Sequence, residues 1–154
     1  MTHYTSYDLI EWAKPFEKRK NPLPKPKGSE VLIRVTAAGL CHSDLHVQKG
    51  YMDLGNEGRL TFAERGAELP MTFGHEIAGV VENTGANANS FKKGQQVLVF
   101  PWIGCGECAA CKEERESDCA SMRIIGLKQK GGFATHCLVA VSYTHLRAHE
   151  TVMN

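Results

Sequence analysis

Cys105, Cys108, Cys111 and Cys119 follow the pattern C-x2-C-x2-C-x7-C. Four thiolates so spaced can complete a tetrahedron around zinc, and a site closed by four protein ligands has no position left for a substrate, so this one reads as structural. Short spacers let backbone turns aim successive sulfurs inward, and Gly104 and Gly106 remove steric obstacles to those turns. Glu107, Lys112, Glu113 and Glu114 make the segment too polar for its cysteines to be ordinary core residues. Two other readings overlap the cluster. Gly104, Gly106 and Ala109 satisfy G-x-G-x-x-A, the dinucleotide-binding turn. The residues between and just beyond those glycines are the thiolates, however, and Ile124 to Leu127 is too short and glycine-broken to be the second strand of a βαβ unit. A nucleic-acid-binding zinc module would need a basic surface. Glu107, Glu113, Glu114, Glu116 and Asp118 make this one acidic.

A second constellation lies upstream. Cys41, His42, Ser43, Asp44 and His46 are close neighbours in sequence, and Gly74, His75 and Glu76 come some thirty positions later. Alone, each is a weak signal, since a lone cysteine is more often a small buried hydrophobe. Together they suggest an open metal site. Catalytic zinc commonly takes three protein ligands and keeps a fourth position free, and a thiolate and an imidazole, Cys41 and His75, supply two. Asp44 is suited to accept the other N–H of the imidazole, fixing its tautomer and orientation. Ser43 could hold a hydroxyl bound at the metal. His46 could carry its proton onward, because an unperturbed imidazole titrates at roughly 6.5.

The elements that must position these residues read as short strands. Pro22, Pro24 and Pro26 pre-set an extended connector up to Gly28. Val31, Ile33 and Val35 alternate with Leu32, Arg34 and Thr36, the period of a strand. Ile77 to Val81, Val97 to Phe100 and Phe133 to Ala140 are further strands, the first two joined by the turn-rich stretch Asn83 to Gly94. Tyr51 to Pro70 reads as a long loop with room for a short helix. Short strands between glycine turns indicate a mainly β protein, a barrel or sandwich with long functional loops. A chain of 154 residues, 42% hydrophobic and 23% charged, suits about one soluble domain. A net charge of +1 gives no reason to expect nucleic acid or an anionic membrane as partner. The N-terminal residues lack a signal-peptide layout and no apolar run is long enough to span a membrane, so a cytoplasmic location is expected. Crowding of four of the six cysteines favours metal over disulfides.

The runs AGLCHSDLH, FGHEIAGVV and GCGECAACKEERESDC, in that order, resemble the medium-chain zinc-dependent alcohol dehydrogenase family over about residues 5 to 140. The resemblance implies a GroES-like, partly open β-barrel with long loops and a structural zinc lobe. In that family a Rossmann domain binding NAD or NADP comes next, and it is absent from this sequence. Cys41 and His75 then correspond to catalytic-zinc ligands and Glu76 to the neighbouring acid that can approach the metal. Ser43 and His46 match the proton relay, and His42 the basic residue near the cofactor pyrophosphate. Cys105, Cys108, Cys111 and Cys119 match the structural zinc lobe, while Trp102 and the loop around Tyr51 fall where the alcohol pocket is lined. The third catalytic-zinc ligand, usually a second cysteine beyond the structural lobe, has no counterpart here. Cys137, in GGFATHCLVA, reads instead as part of a core strand. The implied activity is reversible oxidation of a small-molecule alcohol to an aldehyde or ketone with hydride transfer to NAD(P). The full-length parent is expected to be a homo-oligomer, and this fragment to be inactive alone. The alternatives are a non-catalytic zinc module that binds a partner through its long loop, and another medium-chain enzyme such as a polyol or formaldehyde dehydrogenase.

After Ala140 the family pattern stops. Val141 to Thr151, VSYTHLRAHET, is the translation of a transposon-based sequencing adapter. Residues 1–140 are therefore expected to form the domain, incomplete at its end, and 141–154 a non-native tail. His145, His149 and Glu150 are accordingly not read as a metal site.

Overall fold

The inward alternation of Val31, Ile33 and Val35 holds, and Leu32, which it places on the other face, is buried as well, while Arg34 and Thr36 beyond it on that face are exposed. The computed structural model describes residues 2–140, and the expected tail lies outside them. The strands are β1 (His3–Leu9), β2 (Glu17–Pro22), β3 (Glu30–Gly39), β4 (Tyr51–Asp53), β5 (Arg59–Thr61), β6 (Met71–Thr72), β7 (Glu76–Thr84), β8 (Gln96–Val99), β9 (Trp102–Ile103), β10 (Arg123–Ile124) and β11 (His136–Ala140). The helices are α1 (His42–Lys49) and the single turn α2 (Ala109–Lys112).

A four-stranded sheet in the order β11-β3-β7-β8 carries the main core. Val31, Ile33, Ile77, Val81, Val97, Val99 and Val139 meet there with Cys137, Ile103 and Ile125. β3, β7 and β8 contribute branched residues at alternate positions and β11 adds Cys137 and Val139, which is why these strands are legible in the sequence. A three-stranded sheet, β2-β1-β6, stands beside it. The stretch 133–135 joins the two. Tyr7 N–H donates to the Phe133 carbonyl at 2.8 Å, Thr135 N–H to Thr5 at 2.8 Å, and Val35 N–H to Thr135 at 2.9 Å. Among the described residues the two sheets do not join into one continuous ladder, so the result is a partly open barrel. A second core, Leu9, Val47, Phe62 and Phe73 with Trp12, Phe16 and Phe133 against it, fills the space under α1.

Two features depart from the sequence pattern. It gives no sign of β1 and β2, and β1 turns Tyr4, Ser6 and Asp8 inward rather than an apolar set. The polar groups are satisfied: Thr72 Oγ1 donates to Asp8 Oδ1 at 2.6 Å and Asn21 Nδ2 to Ser6 Oγ at 2.8 Å. The expected loop from Tyr51 contains a ribbon, β4 against β5, turned by a 3-10 helix at Gly55–Glu57.

Candidate metal centres

The upstream constellation is assembled by one ladder. β3 and β7 run antiparallel, and their last pair is Gly39 with Glu76. Cys41 lies two residues beyond one strand end and His75 immediately before the other, so residues 34 positions apart meet across the mouth of the ladder. The register slips at Leu32/Ile33 and Val35/Ala37, and such bulges bend a strand and re-aim the residues beyond its end. Gly74, before His75, has φ +88°, and a Cβ there would come within 2.6 Å of the Phe133 ring. Only glycine supplies both the left-handed backbone and the space.

Cys41 is also the N-cap of α1. Its amide donates to Asp44 Oδ2 at 3.0 Å, so the carboxylate satisfies one of the amides that a helix start leaves unpaired. Gly50, at φ 90°, closes the helix with its N–H on His46 and Val47 carbonyls. Asp44 is only 3% exposed. Its Oδ1 stands 3.5 Å from His75 Nδ1, the arrangement that leaves Nε2 free as the ligating nitrogen. That Nε2 is 3.3 Å from Cys41 Sγ and 3.3 Å from Ser43 Oγ, and Ser43 Oγ is 2.6 Å from the sulfur. With Zn–S of about 2.3 Å and Zn–N of about 2.0 to 2.1 Å, sulfur and nitrogen bound to one tetrahedral zinc lie roughly 3.5 Å apart. The observed spacing fits.

The four downstream cysteines also converge. Their sulfurs form one of two groups able to hold a metal ion among the described residues, the other being Cys41, Asp44 and His75. Cys105 Sγ and Cys111 Sγ are 3.9 Å apart, close to the roughly 3.8 Å edge of a tetrahedron with Zn–S near 2.3 Å. Backbone amides point at the sulfurs, Cys108 N–H to Cys105 Sγ and Cys105 N–H to Cys119 Sγ, each at 3.3 Å. Amides of Glu107 and Cys108 draw the Cys105 thiol down to about 6. The Gly106 amide acts in the same sense on Cys111, but desolvation and the neighbouring thiols of Cys108, Cys119 and Cys105 outweigh it and push Cys111 up to about 12. A cation bound among the four sulfurs would deprotonate them all. Arg115 latches the far side of the lobe, donating to Glu113 at 2.7 Å and to Asp118 at 2.6 Å.

The other candidate residues lie around these two centres. His42 and His46, one turn apart on α1, stack with ring centroids 4.5 Å apart. Glu76 is exposed and lies over Gly39, outside the group of Cys41, Asp44 and His75. Tyr51 opens β4 and carries the Arg59 guanidinium over its ring at 4.4 Å, a cation–π contact that the sequence does not suggest. Trp102 is 39% exposed on β9. Cys137 is buried in the main core, as its strand context implies, and burial pushes its thiol up to about 12. Cavities of 510 and 600 Å³ include none of Cys41, Ser43 or His75 in their walls.

Residues 27–148 match the family model of the alcohol dehydrogenase GroES-like domain, so the match runs past Ala140 into the stretch expected from the sequence to be a non-native tail. The chain is 43% identical over 132 residues to an NAD-dependent alcohol dehydrogenase of Sulfurisphaera tokodaii, covering 85% of this chain and 37% of that protein. It is 35% identical over 134 residues to a D-arabinose 1-dehydrogenase (NADP(+)) of Saccharolobus solfataricus, covering 87% of this chain and 35% of the relative. Among solved structures, the cobalt- and zinc-bound thermostable alcohol dehydrogenase from Pyrobaculum aerophilum superposes with a TM-score of 0.73 at 26% identity, over 90% of this chain and 39% of that one. The chain thus spans little more than a third of the proteins it matches.

Proposed function

Because the chain belongs to the alcohol dehydrogenase GroES-like domain family, we propose that it is the zinc-binding part of an enzyme that oxidises an alcohol reversibly to an aldehyde or ketone. The observation that carries this reading is the meeting of Cys41, Ser43 and His75 at 2.6 to 3.3 Å with the buried Asp44 behind the imidazole. Cys41 and His75 hold a catalytic zinc, with Glu76 the acid able to approach it, and Cys105, Cys108, Cys111 and Cys119 hold a structural one. Zinc, when bound, polarises a substrate hydroxyl and lowers its pKa. NAD or NADP would take up the hydride.

The chain's own residues handle the proton. Ser43 Oγ lies against both ligands and accepts it from the alcohol. His46, three residues on and so on the same helix face, receives it and releases it to solvent. His42 offers a positive or hydrogen-bonding side chain to the cofactor phosphates, and Tyr51 and Trp102 supply apolar walls to the substrate. Likeness to D-arabinose 1-dehydrogenase favours a second reading within the family, a sugar or polyol hydroxyl as substrate. Cytoplasmic residence and a homo-oligomeric parent belong to the same proposal. All six cysteines are unpaired, which supports a reducing compartment, and among the described residues no helix is long and apolar enough to cross a membrane.

Cobalt substitution tests the proposal. The protein should take up a second Co²⁺ after the four-thiolate site is filled, and the visible bands of that ion should shift when an alcohol is added. Cys41→Ser or His75→Gln should abolish the second spectrum and keep the first. Cobalt confined to the four-thiolate site would favour the non-catalytic zinc module instead.

A further inference from the structure

The face of α1 that turns away from Asp44 carries two imidazoles at an i,i+4 spacing. His42 is exposed and His46 half-buried, and their rings lie 4.5 Å apart at a tilt of 52°. Two histidines so spaced on one helix face are a recurrent bidentate grip for a divalent ion. Two nitrogens bound at about 2.0 to 2.1 Å subtend roughly 3 Å, a span that rings already in contact reach by small side-chain rotations. Both rings lie within one continuous helix, which Gly50 caps four residues beyond His46 with its amide on the His46 and Val47 carbonyls. The local acid, Asp44, is engaged with Cys41 N–H and His75 and faces the interior. The grip is therefore purely imidazole plus water, a donor set that suits Ni²⁺, Cu²⁺ or Zn²⁺ rather than Mg²⁺ or Ca²⁺.

We propose that His42 and His46 form a further, surface divalent-metal site, separate from the pair Cys41 and His75 and from the four-cysteine lobe. An ion there occupies the nitrogen lone pair that His46 needs for proton transfer and covers the His42 ring. That consequence, inhibition by transition-metal ions, rests on the dehydrogenase reading. The binding itself does not.

The probe is Ni²⁺, which does not oxidise thiols, added to the 154-residue chain carrying two equivalents of zinc, enough for the four-cysteine lobe and the Cys41–His75 pair and no more. Calorimetry should show one Ni²⁺ bound beyond the zinc with no zinc displaced, and His42→Gln and His46→Gln should each weaken that binding at least tenfold. In the unmodified chain, paramagnetic broadening of ring resonances should strike His42 and His46 before His3 and His75. Equal Ni²⁺ affinity in the two variants, or broadening that spares these two rings, would overturn the proposal. Neither readout involves an alcohol or a nicotinamide, so a failed dehydrogenase reading would leave the result unaffected.

Discussion

One carboxylate oxygen of Asp44 accepts the Cys41 amide and the other faces His75 Nδ1, so a single side chain orients both candidate ligands. Asp44→Asn keeps the volume but presents an amide to the imidazole. Loss of such an oriented partner costs about 10- to 100-fold in metal affinity, and cobalt titration of the upstream site should register a drop of that size with the four-thiolate spectrum unchanged. Thiol chemistry offers a second check. In the metal-free protein at pH 7, the Cys105 thiol, drawn to about 6, is largely thiolate, whereas Cys137, buried and pushed to about 12, is not. Brief alkylation read by mass spectrometry should label Cys105 first and Cys137 last, and early labelling of Cys137 would contradict its place in the core. At this scale much is legible in the sequence. The four-cysteine spacing and the Cys41, Asp44 and His75 grouping follow from ligand chemistry, and the structure brings both groups together. The capping role of Asp44 is not legible, because it requires knowing that a helix starts at Cys41. Glu76, the acid next to His75, lies over Gly39, two residues before Cys41.

The ladder of β3 and β7 holds the candidate ligands in place, and Gly74 lets the chain leave it at the angle His75 needs. Alanine there must adopt left-handed backbone, costing about 1 to 2 kcal/mol, and must displace Phe133, costing about 1 to 3 more. Gly74→Ala should therefore lower the urea midpoint by the equivalent of at least about 2 kcal/mol, and weaken the upstream metal site in the same titration. A variant with unchanged stability would show that the backbone before His75 is not constrained as described. The strands of the main sheet are legible because β3, β7 and β8 turn branched residues inward on alternate positions, with Cys137 and Val139 doing the same from β11. β1 and β2 are not, for opposite reasons. β1 buries Ser6 and Asp8 through hydrogen bonds that no hydropathy pattern reveals, and nearly every residue of β2 is exposed. α1 is hidden by its composition, since Ser43, Asp44, His46 and Val47 are weak helix formers and its stability comes from its caps and from Val47 in the second core.

At the scale of the molecule, every pairing between the strands is antiparallel. The parallel sheet and glycine turn that would carry a dinucleotide are not found among the described residues. Hydride transfer depends on holding nicotinamide against the alcohol, so the chain alone should give no alcohol-dependent NADH or NADPH. It should still retain a single zinc through mild chelation, because closed sites of this kind bind with roughly 10 to 16 kcal/mol in small peptides, while an upstream zinc held by fewer ligands is stripped. Elemental analysis after chelation and an absorbance assay over a panel of alcohols check both halves, and either turnover or two retained zincs would refute the expectation. The hairpin β4–β5 bears on how such a molecule can change. Phe62 N–H donates to the Gly50 carbonyl at 3.0 Å, so residues 51–61 leave and re-enter the body at one point, and among the described residues their ribbon pairs only with itself. Doubling the length of such a loop costs only about 0.6 kcal/mol in closure entropy. Inheritance can therefore lengthen, trim or exchange this cassette while Cys41 and His75 stay at their strand ends, so the loop can diversify without disturbing the ladder that holds the candidate metal ligands.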